Sequence, residues 1–300
     1  MAEPERVYRG RKATERLNDS KGQFAAGAEA WAEYNQRPLG RIRREVSWHN
    51  LAAHLPDVVA PERPPRVLDV GGGSGELAIR LVRRGYRVWL SDYAAAMLEQ
   101  AERAARDLPD DARARLTLCL MAADDAPGSF PRESFEVITC HTLVEYLPDP
   151  RATIRGLVSL LRDGGLLSVS FVNRHATVLR RVWSQLDPVG ALASLENGAF
   201  CATLFDVAGT AYTAEEVSGW LDELGLTVTA PYGVRVFADY VPRDRLDEPG
   251  FFQDLLRLEM AVAAQPPYNQ LARYAQVLAW KGGFPSYNSP GRGRAGKDPL

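Results

Sequence analysis

The alternation of apolar and polar positions along the chain predicts short strands separated by helices. From residue 66 onward, apolar runs such as RVLDV, RVWLSD, RLTLCLMAA, FEVITCH, LLSVSFVN and YAQVLAW alternate with amphipathic stretches such as ELAIRLVRRG and PRATIRGLVSLLR. Strands of this length, joined by helices, form parallel sheets with right-handed crossovers. The pattern therefore predicts an α/β fold built on a doubly wound, mostly parallel, seven-stranded sheet.

The segments outside this alternation divide the chain into further parts. Residues 1–23 are polar and predict a flexible arm, and LGRIRREVSWHNLAAHL predicts an amphipathic helix within a helical extension over residues 24–65. The alternation defines a main domain over residues 66–281, which mixed sequence interrupts at about 174–212, interpreted as an inserted cap. Residues 282–300 are rich in Gly, Pro and Ser, which predicts a disordered tail.

Composition narrows the class of protein. Hydrophobic residues make up 46% of the 300 positions and the formal net charge is −2, so the overall charge indicates neither a nucleic-acid coat nor a membrane surface. Cys119, Cys140 and Cys201 have no paired spacing, so we expect neither disulfides nor a metal site. Without a secretory signal or a long apolar run, we expect a cytoplasmic protein with no membrane partner. The sequence leaves the oligomeric state open.

The segment RVLDVGGGSGELAIRLV, residues 66–82, carries several glycines after an apolar strand. A phosphate-binding P-loop would continue with Gly-Lys-Ser/Thr, but Glu76 follows Gly75. A dinucleotide fingerprint would need a third glycine at the position of Glu76. The segment instead has one acid, Asp69, before the glycines and a second acid, Asp92, at the end of the next apolar run.

This arrangement resembles the class I S-adenosylmethionine-dependent methyltransferases. The resemblance implies that S-adenosylmethionine is the cofactor, that Asp92 holds its ribose, and that Ala123 and Asp124 lie at its adenine edge. For Asp124, a helix cap or an exchange of roles with Asp125 is the alternative. His141 would lie at the carboxyl edge of the sheet, although a structural role for this histidine is the alternative. The glycines would let the backbone approach the cofactor closely. The implied cofactor-binding residues around the loop are Asp69, Gly71, Gly72, Gly73 and Gly75.

Beyond the common core, the chain resembles the bacterial tRNA 5-carboxymethoxyuridine methyltransferases. The likeness runs from about residue 22 to 280 and rests on GRIRREVSWHNL, CHTLVEYLPDP, SVSFVNRHA, YGVRVFADY and LLRLEMAVAAQPPYNQLARYAQVLA. It implies a tRNA-processing enzyme that methylates the carboxylate of a modified wobble uridine. It also implies that Arg43 and His141 contact the cofactor, with the guanidinium of Arg43 paired to the cofactor's carboxylate.

An acceptor carboxylate is already ionised at neutral pH, so it needs a cationic clamp more than a base. Arg235, which we expect on a strand, is the first candidate for that clamp, and Arg273 is a second. Asn173 follows the fifth predicted strand and shares the active edge of the sheet with His141. We therefore predict His141, Arg235 and Asn173 as catalytic residues, with a surface salt bridge as the alternative for Arg235.

The predicted cap leaves the acceptor open. Residues 184–210 are apolar and acidic, whereas the tRNA enzymes carry a basic stretch there that suits RNA. The leading hypothesis is a methyltransferase whose partner is tRNA or a small carboxylate-bearing acceptor. A small-molecule or peptide O-methyltransferase of specialised metabolism is the second hypothesis. A cofactor-binding partner protein without catalytic activity is the third.

Overall fold

The computed structural model describes residues 22–202 and 204–283. The predicted flexible arm over residues 1–23 lies outside the described residues except at its last two positions. The predicted tail over residues 282–300 lies outside them except at its first two.

The helices before the first strand include α1 (Ala28–Gln36) and α2 (Pro38–Ala52). They are separated by Arg37, which is extended, and α2 begins at a proline, whose missing N–H removes no helical hydrogen bond at that position. The amphipathic pattern of α2 buries Ile42 against Leu255 and its neighbours near the C-terminal end of the described chain. This packing fixes α2 beside the sheet.

The described residues form a central sheet and a separate two-stranded hairpin. The strands are β1 (Arg66–Val70), β2 (Arg87–Asp92), β3 (Leu116–Leu120), β4 (Phe135–His141), β5 (Leu161–Val172), β6 (Ala199–Ala202), β7 (Val207–Thr210), β8 (Leu226–Val228), β9 (Tyr232–Val234) and β10 (Tyr274–Lys281). The sheet order is β3-β2-β1-β4-β5-β10-β8, and β9 also pairs with β10. Since β10 is antiparallel to β5, β8 and β9 while β1 to β5 pair in parallel, only β10 is reversed.

The predicted α/β class and the mostly parallel sheet are confirmed, with one difference in strand number. The run LTVTAPYGVRVFADYV contains two short strands, β8 and β9. Pro231 lies between them, and a proline has no N–H to donate to a strand ladder. The sheet therefore has eight strands.

Helices cover both faces of the sheet. Val67 and Leu68 are neighbours in β1 but belong to separate buried clusters, because successive side chains of a strand point to opposite faces. The helices that follow α2 are α3 (Glu76–Arg83), α4 (Ala95–Ala105), α5 (Asp110–Arg113), α6 (Ala126–Ser129), α7 (Pro150–Leu160), α8 (Arg174–Gln185), α9 (Pro188–Asn197), α10 (Ala214–Glu223), α11 (Pro249–Val262) and α12 (Tyr268–Leu271). Within the described ranges, none of the helices has the length and apolar character needed to cross a bilayer.

The interruption at about residues 174–212 folds as two packed helices, α8 and α9, followed by the β6–β7 hairpin. Asp187 caps the start of α9, because its carboxylate accepts a hydrogen bond from the backbone N–H of Gly190 at 2.7 Å. The two helices expose large apolar side chains, among them Trp183 and Leu192. We refer to residues 174–212 as the cap.

Candidate functional site

The glycine loop between β1 and α3 has a backbone that side chains would not tolerate. Gly71, Gly73 and Gly75 have positive φ angles of 64°, 55° and 81°. At Gly72, a Cβ would lie 2.6 Å from Oδ2 of Asp69. The loop therefore presents bare backbone at the carboxyl edge of the sheet, where open α/β folds bind ligands.

Asp69, at the end of β1, supports this loop from beneath. Its side chain is buried, and Oδ1 accepts a hydrogen bond from the Thr139 hydroxyl at 2.7 Å. Burial raises the pKa of Asp69 to about 6, although the Thr139 hydrogen bond opposes the shift. Oδ2 has no hydrogen-bond partner among the described residues, so this carboxyl group retains acceptor capacity next to the loop.

Asp92, at the end of β2, faces the glycine loop. Its Oδ2 accepts a hydrogen bond from the Gly73 N–H at 3.1 Å, and its Oδ1 accepts one from the Ala94 N–H at 2.9 Å. Burial raises its pKa, and these backbone hydrogen bonds limit the rise. Because a carboxylate has about four acceptor sites, Asp92 keeps acceptor capacity for a hydroxyl donor beside these backbone N–H groups.

Arg43 projects from α2 toward the other side of the loop. Its guanidinium stacks over the Trp31 ring at 4.4 Å and donates to Oδ1 of Asn35 at 2.8 Å and to the Thr142 hydroxyl at 3.4 Å. It lines a cavity of about 470 Å³ together with Asp69 and the first three loop glycines. A guanidinium held in this way is suited to bind a carboxylate.

His141, the last residue of β4, borders the same cavity. One ring nitrogen, Nε2, lies 2.8 Å from the Ser168 hydroxyl. Burial, assisted by the positive charge of Arg43, lowers the pKa of His141 to about 4. The imidazole is therefore neutral at physiological pH and provides a polar wall without adding positive charge.

A second cavity, of about 330 Å³, adjoins the first at Trp31, Gly71, Gly73 and Thr142. Asp92 and the predicted adenine-edge residues Ala123 and Asp124 line it. Asp124 accepts a hydrogen bond from the Thr153 hydroxyl, which fixes its side chain at the rim. Aromatic side chains form much of the remaining wall: Phe24, Trp31, Tyr34, Tyr93, Tyr146, Phe200, Phe205 and Tyr274.

Arg235 lies in the wall of this second cavity, but our prediction that it stands on a strand is wrong. β9 ends at Val234, and Arg235 follows it with a φ of 64°. Glu259 holds the loop in this conformation, because its carboxylate accepts hydrogen bonds from the three backbone N–H groups that follow Arg235. Its side chain is only 5% exposed, so the alternative of a surface salt bridge is wrong about the position, although Arg235 does form a salt bridge, with the buried Asp239.

Arg235 pairs with Asp239, and it donates a hydrogen bond to the Tyr34 hydroxyl at 2.6 Å. Arg180 of the cap and Arg273 line the same cavity, and we call Arg180, Arg235 and Arg273 the arginine cluster. Neither Arg180 nor Arg273 has a salt bridge within the described ranges, whereas all three arginines lower the pKa of Asp239 against the effect of its burial. The cluster therefore carries more positive than negative charge.

Asn173, predicted as catalytic, has its side chain engaged in the framework. Its amide nitrogen donates to the backbone oxygens of Gln270 at 2.7 Å and Ala272 at 2.9 Å. Its amide oxygen accepts a hydrogen bond from the His175 N–H at 3.1 Å and caps α8. Asn173 is buried and joins the cap to the segment before β10.

Comparison with known proteins identifies the family. Residues 40–230 match the model of a family described as "Methyltransferase domain". The chain belongs to the S-adenosylmethionine-dependent methyltransferases. This methyltransferase is 32% identical over 243 residues to the tRNA 5-carboxymethoxyuridine methyltransferase of Escherichia coli K12, covering 81% of this chain and 89% of that protein.

Two further likenesses are weaker. The ubiquinone biosynthesis O-methyltransferase of Xanthomonas campestris pv. campestris strain B100 is 35% identical over 153 residues, which cover 50% of this methyltransferase and 59% of that protein. The crystal structure of the 1,6-didemethyltoxoflavin-N1-methyltransferase of Burkholderia thailandensis, with bound 1,6-didemethyltoxoflavin and S-adenosylhomocysteine, has a TM-score of 0.57 at 14% identity. The superposition covers 92% of this chain and 93% of that chain. At this identity the likeness concerns the fold alone.

The cofactor of this methyltransferase is S-adenosylmethionine, and the site fits it. The glycine loop is a cradle that a Cβ would fill at Gly72, Asp92 retains acceptor capacity for a ribose hydroxyl, and Arg43 offers a guanidinium to a carboxylate. When bound, S-adenosylmethionine supplies a methyl group on a positively charged sulfur.

Arg180 and Glu145 are among the residues of the second cavity that sequence reasoning missed. Arg180 belongs to the cap, whose fold the sequence left open, and the helical spacing of HATVLRRVW does not distinguish it from the adjacent Arg181. Glu145 lies within CHTLVEYLPDP. This segment contributed to the family resemblance, but sequence reasoning assigned no chemical role to its acid. The position of Glu145, four residues after His141 at the end of β4, was the available signal.

Proposed function

We propose that this methyltransferase forms a methyl ester on an acceptor carboxylate, and that the carboxylate belongs to a carboxymethoxyuridine at the wobble position of tRNA. The observation that carries this proposal is the positive potential of the arginine cluster. Burial alone would raise the pKa of Tyr274, yet two arginines of the cluster, Arg235 and Arg273, together with Arg43, lower it below its ordinary value. A site that favours a negative charge on a buried tyrosine also favours a carboxylate ligand.

Ester formation is consistent with the groups around the cavity. A carboxylate is ionised at neutral pH and is nucleophilic without losing a proton, so catalysis needs orientation more than a base. His141 is neutral and its Nε2 is engaged with Ser168, and the Asn173 side chain is occupied by backbone groups. We therefore assign His141 to the cofactor wall and Asn173 to positioning of the cap.

We assign the clamp for the acceptor carboxylate to Arg180 and Arg273. Both line the second cavity and have no salt bridge of their own among the described residues. Arg235 supports them indirectly, because its pairing with Asp239 and Tyr34 orders the cavity wall. The tRNA acceptor rests on the 32% identity to the Escherichia coli enzyme, which extends over most of both chains.

A small-molecule O-methyltransferase is the second candidate. The observation that favours it is the aromatic wall of the second cavity, which would stack on a flat organic acceptor as readily as on a base. The partial likeness to the ubiquinone biosynthesis enzyme points the same way. The two candidates differ in the acceptor and share the cofactor site.

The deciding experiment incubates the purified protein with labelled S-adenosylmethionine and tRNA that contains 5-carboxymethoxyuridine. Mass spectrometry of the digested nucleosides should reveal the methyl ester of that nucleoside, and the same tRNA treated with an Asp92→Ala variant should lack it. Transfer to small carboxylates or phenols without transfer to tRNA would replace the first candidate with the second. Incorporation at any other nucleoside would show that the acceptor is not the wobble carboxylate.

A further inference from the structure

Glu145 is a buried acid in the wall of the second cavity that the proposed function has not used. Its side chain is 2% exposed, and neither carboxyl oxygen makes a hydrogen bond of ordinary geometry within the described part of the chain. A buried polar group without a partner costs stability. Such a group, lining a ligand-sized cavity, is well placed to make its hydrogen bond to a ligand.

The surroundings of Glu145 connect it with the arginine cluster. It lies in the one-turn helix Val144–Tyr146, shortly after β4, and lines the cavity together with Val172 and Arg273. The β6–β7 hairpin of the cap covers this turn, where a Cβ at Gly209 would come within 3.1 Å of the backbone oxygen of Glu145. Glu145 and the proposed clamp therefore face the same cavity.

The charge of Glu145 follows from these neighbours. Burial raises the pKa of Glu145 to about 8, while the nearby N–H groups of Glu145 and Val172 and the charges of Arg273 and Arg43 oppose the shift. The other titratable groups that face it are uncharged at neutral pH: Cys140, Tyr146 and Tyr212. At pH 7 the carboxyl group therefore carries a proton that no described residue accepts.

We propose that Glu145 recognises the acceptor by donating a hydrogen bond from its carboxyl group to one oxygen of the acceptor carboxylate, whose other oxygen receives the methyl group. This inference rests on the proposed function. A bond forms between the second oxygen and the methyl carbon as the carbon–sulfur bond breaks, and the electron pair of that bond goes to sulfur. The proton stays on Glu145 throughout, so the step releases no proton.

The neutral state of Glu145 is what makes this recognition possible. An ionised carboxylate beside an acceptor carboxylate would repel it, whereas a carboxylic acid attracts it as a donor. Glu145 and the arginine cluster would then hold the same acceptor group from two directions. The opposite role, a base that removes a proton from a hydroxyl acceptor, requires the ionised form.

The test compares Glu145→Gln, which keeps an N–H donor, with Glu145→Leu, which keeps the size but no donor. On tRNA containing 5-carboxymethoxyuridine, wild type should lose activity above about pH 8 as Glu145 ionises. The Gln variant should retain kcat/KM within about threefold at pH 7 and should not show that decline. The Leu variant should raise the acceptor KM by roughly 10- to 100-fold, the value of one hydrogen bond to a charged group. Both variants should bind S-adenosylhomocysteine like wild type, as should the exposed control Glu223→Gln.

A Gln variant as inactive as the Leu variant would overturn the inference. An amide can replace a hydrogen-bond donor but not a base, so that result would indicate that Glu145 acts as a base. A Leu variant with unchanged acceptor KM would overturn it as well. If wild type does not methylate the tRNA, the proposed function is wrong. The proposed role of Glu145 toward that acceptor is then wrong as well. Unfolding of the apoprotein tests the protonation of Glu145 without turnover. As pH rises from 6 to 9, the free energy of unfolding of the Gln variant should increase relative to that of wild type. A difference that does not change with pH would contradict a neutral Glu145.

Discussion

Asp92 accepts a hydrogen bond from the backbone N–H of Gly73, with 3.1 Å between the nitrogen and Oδ2. The bond joins the end of β2 to the glycine loop that follows β1. Since β1 and β2 are adjacent and parallel, both ends lie at the same edge of the sheet. One carboxylate thus orders the loop and still offers lone pairs to a ligand.

Replacing Asp92 by alanine should weaken the binding of S-adenosylhomocysteine by roughly 100-fold. The expected loss is about that of two charge-assisted hydrogen bonds to the ribose hydroxyls, each contributing about 1.5–3 kcal/mol before compensation. Isothermal titration calorimetry measures the affinity directly. Asp92→Asn is the control, since it keeps one oxygen acceptor and should bind with intermediate affinity. Equal affinities of wild type and both variants would mean that the ribose binds elsewhere.

Gly72→Ala should disrupt the loop, although the φ of Gly72 is not in the left-handed region. The added Cβ would lie 2.6 Å from Oδ2 of Asp69 and 3.0 Å from Cγ of Leu90, so the loop or β1 must move. We expect a loss of about 1–3 kcal/mol in stability and at least tenfold weaker cofactor binding, measured by urea unfolding and calorimetry. Gly219→Ala in α10 is the matched control, because its Cβ meets nothing within 4 Å and should leave binding unchanged. A Gly72→Ala variant that binds as well as that control would contradict the argument.

The cofactor side of the site was predictable from the sequence because chain order determines its geometry. In a parallel sheet, the residues just after β1 and at the end of β2 meet at one edge, so Gly71 and Asp92 follow from local pattern alone. The acceptor side depends on contacts between distant segments. Tyr34 and Arg235 are separated by 201 positions, and no periodicity in either segment predicts their hydrogen bond.

Local pattern also failed where backbone hydrogen bonding decided the conformation. The alternating residues around Arg235 favour a strand. The Glu259 carboxylate, however, accepts hydrogen bonds from the next three backbone N–H groups, so these groups are not available to a strand partner. Glu259 lies more than twenty positions further along the chain. The cap residue Arg180 could not be assigned to the site for the same reason, because the fold of the cap depends on packing between segments.

Arg235→Ala should destabilise the protein by about 3 kcal/mol. The substitution removes the nearest cation from Asp239, which is 7% exposed, and breaking a buried ion pair leaves a costly charge behind. Arg257→Ala removes an exposed pair with Asp254 and should cost less than about 1 kcal/mol. Denaturant unfolding measures both. If Arg235→Ala is as stable as Arg257→Ala and instead raises only the acceptor KM, Arg235 is a direct clamp, as the sequence predicted.

Neutral His141 should make stability depend on pH in the acid range. Its pKa is about 4 in the folded protein and 6.5 ordinarily. Below pH 6.5, this histidine therefore binds a proton in the unfolded chain but not in the folded protein. The stabilising contribution is complete above pH 6.5 and is lost as pH falls toward 4. Between pH 7.5 and 5.0, wild type should lose about 2 kcal/mol more than His141→Gln, since other titrating groups contribute equally to both. Urea unfolding of the two proteins at both pH values measures this difference, and equal losses would mean that His141 protonates readily in the folded state.

Arg180→Gln and Arg273→Gln should each raise the KM for the carboxylate acceptor by roughly tenfold or more, because each removes a charge-assisted hydrogen bond from the proposed clamp. Affinity for S-adenosylhomocysteine should stay within about threefold of wild type, since Arg43 supplies the cofactor's guanidinium. Arg181→Gln is the matched control: it neighbours Arg180 in α8, but pairs with Asp187 at 2.8 Å instead of lining the cavity. Steady-state kinetics with the acceptor as the varied substrate separates KM from kcat. If the acceptor KM of the Arg180 and Arg273 variants is no higher than that of Arg181→Gln, neither residue belongs to the clamp. If only kcat falls, the two residues act in the transfer step.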